Sequence, residues 1–295
     1  MQLATSTNIL CERKNAAPIS LEESIRACAE AGFAHLDFGF AELAFFSQEL
    51  HEDTWEKNIQ RYERLSRSLG VDFIQGHACL YDFCNRREDS ELRFELLKRS
   101  FRAASLLGIP RLVVHPACRM ENGRAVSSTH AENVAFFQML SDFAAPLGVD
   151  IAVENMWSGE RPAGTPYAVR AEELLQLMQD VGRSNVGVCW DIEHASVEDL
   201  PQGDSIRLLG RYITATHVSD DTGPNNIHVL PYCGKLKWDE VLQAFAEIGY
   251  DGAFSLELQH YLWNMPMALC PEALRLARSV GTHLVNEIIS RRVSL

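Results

Sequence analysis

The chain has 295 residues, 46% of them hydrophobic and 23% charged, with a formal charge of −13, a composition that excludes an intrinsically disordered or collagen-like polymer. The acidic excess repels polyanions at long range and argues against a nucleic acid or an anionic membrane as partner. No apolar stretch approaches the roughly 18 residues of a membrane span, and the N-terminal MQLATSTNILCERKN has no basic region followed by a hydrophobic core, so a cytoplasmic location is expected.

In chain order, amphipathic stretches repeatedly end in Gly, and a short run rich in Val, Ile, Phe and Leu follows. The examples are EAGFAHLDFGF (30–40), SLGVDFIQGHACL (68–80), LLGIPRLVVHPAC (106–118), PLGVDIAVENMW (146–157), LLGRYITATHVSD (208–220) and EIGYDGAFSLELQ (247–259). Gly suits the left-handed residue that closes a helix, so each of these reads as helix, cap, strand. QLATSTNIL (2–10) and NVGVCWDIEHA (185–195) bring the candidate strands to eight. The intervening helices are expected at 18–31, 54–69, 89–107, 127–145, 170–181, 198–209, 238–248 and 268–289; in the first, Leu21, Ile25 and Cys28 recur at helical spacing. Eight alternating units imply a parallel sheet closed as a (β/α)8 TIM barrel, a single domain over 1–295. An open doubly wound sheet is the weaker alternative, because no GxGxxG follows the first strand. Eight cysteines without a CxxC pair read as reduced structural thiols.

Active sites of such barrels gather at the C-terminal strand ends. There the sequence places His77, His115, Glu154, Asp191 with His194, His217 and Glu257. Each follows or interrupts an apolar run, where a lone charge is costly to bury, so these groups must compensate one another or share a cation. Glu154, Asp191, His217 and Glu257 come from neighbouring strands five to eight. Three carboxylates and one imidazole favour one divalent metal ion: Mn2+, Mg2+ or Co2+, with Zn2+ also compatible. Glu193, two residues after Asp191, is expected to be solvated in a loop. His35, His51, His130, His260 and His283 have no strand-end partner and read as ordinary. The charged run at 86–100 reads as a solvated helix face. Arg119, Arg124, Arg161 and Lys235 fall in loops on the active-site side, where any of them could meet an anionic group.

VEN, WDIEHA, THVSD, IHVLPYCGKLKW and LEL together resemble the xylose isomerase-like barrel superfamily of sugar isomerases, epimerases, related dehydratases and an apurinic endonuclease. The resemblance implies that Glu154 and Glu257 bind the metal and move protons on opposite faces of a sugar, with Asp191 and His217 completing the coordination. His194 would hydrogen-bond a substrate oxygen, and Trp157 would wall the pocket. His77, His115 and His228 would bind substrate or, in the endonuclease branch, further zinc ions. Two positions depart from the family patterns. Asn226 stands where the endonucleases carry a metal-binding Asp, and Gly223 where the ketose epimerases carry an Arg. The expectation is therefore a divalent-metal-dependent isomerase or epimerase of a sugar or sugar phosphate, a small polyhydroxylated carbonyl compound, with a dehydratase of a cyclic or polyhydroxy ketone and a zinc-dependent endonuclease as alternatives. A homodimer is the base-rate state of a soluble enzyme.

Overall fold

The computed structural model describes residues 1–14, 16–122, 124–126, 129–159 and 166–293. Eight parallel strands close into a barrel: β1 (Gln2–Ser6), β2 (His35–Gly39), β3 (Asp72–His77), β4 (Arg111–Val114), β5 (Asp150–Glu154), β6 (Val186–Asp191), β7 (Ile213–Val218) and β8 (Ala253–Leu256). The ring shuts where β1 pairs with β8, from Gln2 opposite Ala253 to Thr5 opposite Leu256. Every strand lies inside the segment expected to contain it.

The helices are α1 (Leu21–Glu30), α2 (Phe40–Phe45), α3 (Trp55–Leu69), α4 (Ser90–Leu107), α5 (His130–Ala144), α6 (Ala171–Val181), α7 (Ile192–Val197), α8 (Gln202–Leu209), α9 (Trp238–Glu247) and α10 (Cys270–Val293). The glycine punctuation works as cap chemistry demands: Gly70 and Gly108 sit in the left-handed conformation after α3 and α4, and their amides bond back to the last turn. The charged run lies on α4, whose opposite face buries Leu96, Leu97 and Phe101. Helices α2 and α7 were not anticipated. Each has six residues and follows its strand without an intervening loop, so no turn signal marks it. None of the described helices is long and apolar enough to cross a membrane, and all eight cysteines are free.

Strand alternation builds the barrel interior in two layers. Ala152, Cys189 and Ala215, with Val113, form a small buried apolar cluster. Each lies two residues before a strand-end group, namely Glu154, Asp191, His217 and His115. The same step separates Gln75 from His77 and Ser255 from Glu257. Small side chains below therefore leave the upper layer to the ionisable groups.

Candidate metal centre and substrate cavity

Glu154 and Asp191 end β5 and β6, His217 is the penultimate residue of β7, and Glu257 directly follows β8. One ligand atom from each of the four lies within 4.8 Å of the others. His217 Nδ1 is 2.8 Å from Glu154 Oε1, 3.2 Å from Glu257 Oε2 and 3.9 Å from Asp191 Oδ2. The ring is aimed from behind: its Nε2 is 3.5 Å from Asp37 Oδ2, which also accepts from Gln75 Nε2 at 2.5 Å and Ser255 Oγ at 3.0 Å. Asp37 went unremarked in the sequence because apolar residues continue on both sides of it.

Asp191 closes β6 and caps α7, its Oδ1 accepting from the His194 amide at 2.8 Å. Asn155 locks it in register, accepting from the Asp191 amide at 2.6 Å and donating to its carbonyl at 2.9 Å. The Asn155 carbonyl accepts from His194 Nδ1 at 2.7 Å, which leaves Nε2 as that ring's second functional atom. The indole of Trp157 stacks on His194 with ring centroids 6.1 Å apart.

Whether these residues suit a cation is decided by their unmet needs. Asp191 Oδ2 is buried without a hydrogen-bond partner, a costly arrangement unless a proton or a positive charge sits beside it, and the close neighbours of Glu154 Oε2 are the imidazoles of His115 and His77. Burial and the Glu154 and Glu257 charges push Asp191 well above the usual carboxyl range. Burial also opposes ionisation of Glu154 and Glu257, but His217 and neighbouring imidazoles hold both below it, Glu257 at about 2. Burial disfavours the His217 imidazolium, yet Cys189, Glu257 and Glu154 outweigh it and raise the ring well above the ordinary histidine value. Protons thus do what a divalent cation would do, and an oxygen-rich donor set with one imidazole fits such an ion.

Glu154 also faces His115 Nε2 at 2.9 Å and His77 Nε2 at 3.4 Å, and the two imidazole nitrogens are 3.1 Å apart. These three residues form a second group with metal-ligand spacing. Burial disfavours a charged His77, but its Glu154 contact raises it to about 9, whereas burial lowers His115. His228 has the left-handed φ of 54°, and burial pushes it down to about 4. It packs against His260, with ring centroids 4.9 Å apart.

Two expectations need correction. Glu193 is buried in α7, not solvated: it accepts from Ser219 Oγ at 2.8 Å and from the His228 amide. Burial and the Asp191 charge raise it to about 9, and it holds His228 in its unusual conformation. His260 is not an ordinary surface histidine, because it lines both an inner cavity of about 350 Å³ around the carboxylates and an outer one of about 840 Å³ bearing Trp157 and Trp263. No local pattern marks either residue; each is brought to the site by the fold. Lys235 pairs with Asp199 at 3.0 Å and Arg119 with Glu132 at 2.7 Å. Arg124 lies in a two-stranded hairpin, and Arg161 lies outside the described residues. Asn226 is exposed and donates to Thr222 Oγ1 at 2.8 Å, so it supplies nothing to the carboxylate cluster.

Comparison with known proteins agrees with the architecture. An uncharacterized protein of Methanocaldococcus jannaschii is 26% identical over 249 residues, 75% of this chain and 83% of its own. The D-psicose 3-epimerase of Agrobacterium fabrum is 31% identical over 128 residues, 43% of this chain and 41% of that enzyme. The crystal structure of the IOLI protein with a binding zinc atom superposes with a TM-score of 0.77 at 19% identity, covering 98% of this chain and 99% of that one. Residues 25–286 match the family described as xylose isomerase-like TIM barrel, and the chain belongs to that family.

Proposed function

We propose that the chain is a divalent-metal-dependent sugar epimerase or isomerase in which Glu154, Asp191, His217 and Glu257 hold the ion and Glu154 and Glu257 move the proton. The observation that carries this is the pair of carboxylates, from β5 and the end of β8, converging on His217 Nδ1 at 2.8 and 3.2 Å. The D-psicose 3-epimerase relative supports a sugar substrate.

A divalent cation bound there supplies Lewis-acid polarisation of a carbonyl and its neighbouring hydroxyl. The rest is the work of side chains. Glu154 and Glu257, both held below the ordinary carboxyl range, are ionised near neutral pH and can accept a proton from the carbon beside the carbonyl. Return of a proton to the opposite face of that carbon inverts it, and return to the adjacent carbon isomerises the sugar. His194 offers Nε2 to a substrate oxygen because its Nδ1 is engaged by Asn155. His77, His115 and the neutral His228 present further hydrogen-bonding groups, and Trp157 walls the outer side.

The test is incubation of the Mn2+-loaded chain in D2O with D-psicose, D-tagatose and an inositol-like ketone, followed by NMR. Deuterium at the carbon beside the carbonyl, together with a stereoisomeric or isomeric product, is expected. Loss of water without exchange into recovered ketose would make the protein a dehydratase. Three zinc ions per chain with nicking of abasic DNA would make it an endonuclease.

A further inference from the structure

The upper layer of the barrel has a gap at β2, where the strand-end residue is Gly39, and a carboxyl group from another element fills it. A Cβ on Gly39 would overlap Glu42 Oε2, so Glu42, in the first turn of α2, folds back into the slot that a β2 side chain would occupy. Its Oε1 accepts from Asn8 Nδ2 at 2.8 Å, Asn8 lying two residues beyond β1. Glu42 is 9% exposed. Three oxygens at this end are buried and unpaired: Glu42 Oε2, Asn8 Oδ1 and Ser6 Oγ. All three residues line the inner cavity that also holds Glu154, His217 and Glu257. In an eight-stranded ring, β1 and β2 stand across the mouth from β5 and β6, so this cluster faces Glu154 and Asp191 over the width of the site, while Glu257 lies on its flank after β8, the neighbour of β1.

We propose that Glu42 and Asn8 are specificity-determining residues that grip an uncharged, hydroxyl-bearing end of the substrate, the end remote from the reacting carbonyl. The inference rests on the epimerase reading and adds to it the chemistry of the far end. A hydroxyl both donates and accepts, which matches the amide oxygen of Asn8, the carboxyl of Glu42 and the hydroxyl of Ser6. Unmet polar atoms in a closed pocket discriminate strongly against a ligand that leaves them unmet. A phosphate ester suits the place badly. Glu12 and Glu42 both line it, no lysine or arginine does among the described residues, and burial disfavours the charged form of Glu42, raising it above the ordinary carboxyl value.

Equilibrium dissociation constants of the Mn2+-loaded full chain for D-psicose, its 6-deoxy analogue and its 6-phosphate ester test this. The wild type is expected to prefer D-psicose over the deoxy analogue by roughly tenfold or more, and over the ester as well. Glu42→Gln keeps an amide donor and should keep the preference. Glu42→Ala removes the group and Gly39→Ala displaces it, and both should bring the psicose-to-deoxy ratio to within about twofold of unity. An unchanged ratio in Glu42→Ala, tighter binding of the ester by the wild type, or no binding of any of the three overturns the proposal. Solvent exchange on the same samples reports the epimerase reading separately. Exchange without the hydroxyl preference sinks the subsite alone, and the preference without exchange sinks the epimerase reading alone.

Discussion

His217 shows how much of this site depends on residues that are not ligands. Its Nδ1 points at three carboxylates only because Asp37 holds Nε2 from below, and Asp37 is itself held by Gln75 and Ser255. Partners of this kind typically govern metal affinity by 10- to 100-fold. Asp37→Ala should therefore weaken Mn2+ binding by roughly that factor, and calorimetry showing unchanged affinity would contradict the role. Glu42 allows a separate reading of its protonation. Because burial raises its folded-state value, the folded chain keeps a proton that the unfolded chain releases above the ordinary carboxyl range. The stability it contributes is full below that range and falls as pH rises through the raised value. Glu42→Gln removes this loss, so the Tm of the variant relative to wild type should climb as pH rises above the ordinary carboxyl range; a gap that stays flat would contradict the raised value. The proposed ligand residues were legible in the sequence because each follows or interrupts an apolar run at a strand end. Asp37, Glu42, Glu193 and His260 were not, because their roles arise from register, a glycine gap, a short helix and loop packing that no local pattern encodes.

Between β7 and α9 the chain makes a long excursion that carries His228, and one carboxylate secures it. Asp220 Oδ1 accepts from the amides of Asp221 at 2.9 Å and Leu236 at 3.1 Å, while Oδ2 accepts from the Tyr232 amide at 3.1 Å and Trp238 Nε1 at 3.0 Å. Gly234 passes so close that a Cβ would overlap Asp220 Oδ1. Asp220→Ala strands several buried donors, a loss of about 3 kcal/mol, or a Tm lower by roughly 6 to 12 °C. Thermal unfolding of this variant within about 2 °C of wild type would show that the clamp is not needed. At this scale glycines mark six helix-cap-strand units in the sequence, and two further apolar runs complete the eight strands. The two short helices leave no mark in the sequence because α2 and α7 start on the residue after a strand, where alternation gives way to helical spacing for too few residues to register.

The closed barrel was foreseeable for a reason that concerns the whole molecule. Eight repeats of one helix and one strand in 295 residues leave little alternative to eight parallel strands with outer helices, and that closure alone puts Glu154, Asp191, His217 and Glu257 at one mouth. The far side of the mouth, with its uncharged or acidic lining, follows from three-dimensional packing instead. The chain's acidic excess suits a small neutral substrate better than a polyanion.

The central claim is that these four residues make a divalent-metal centre, and titration of the metal-free chain with Mn2+ by calorimetry addresses it most directly, with Asp191→Ala as the paired variant. One high-affinity site per wild-type chain, weakened at least about 100-fold in the variant by loss of a ligand, is the expected result. Absence of binding in the wild type, or binding of equal strength in the variant, would contradict the account.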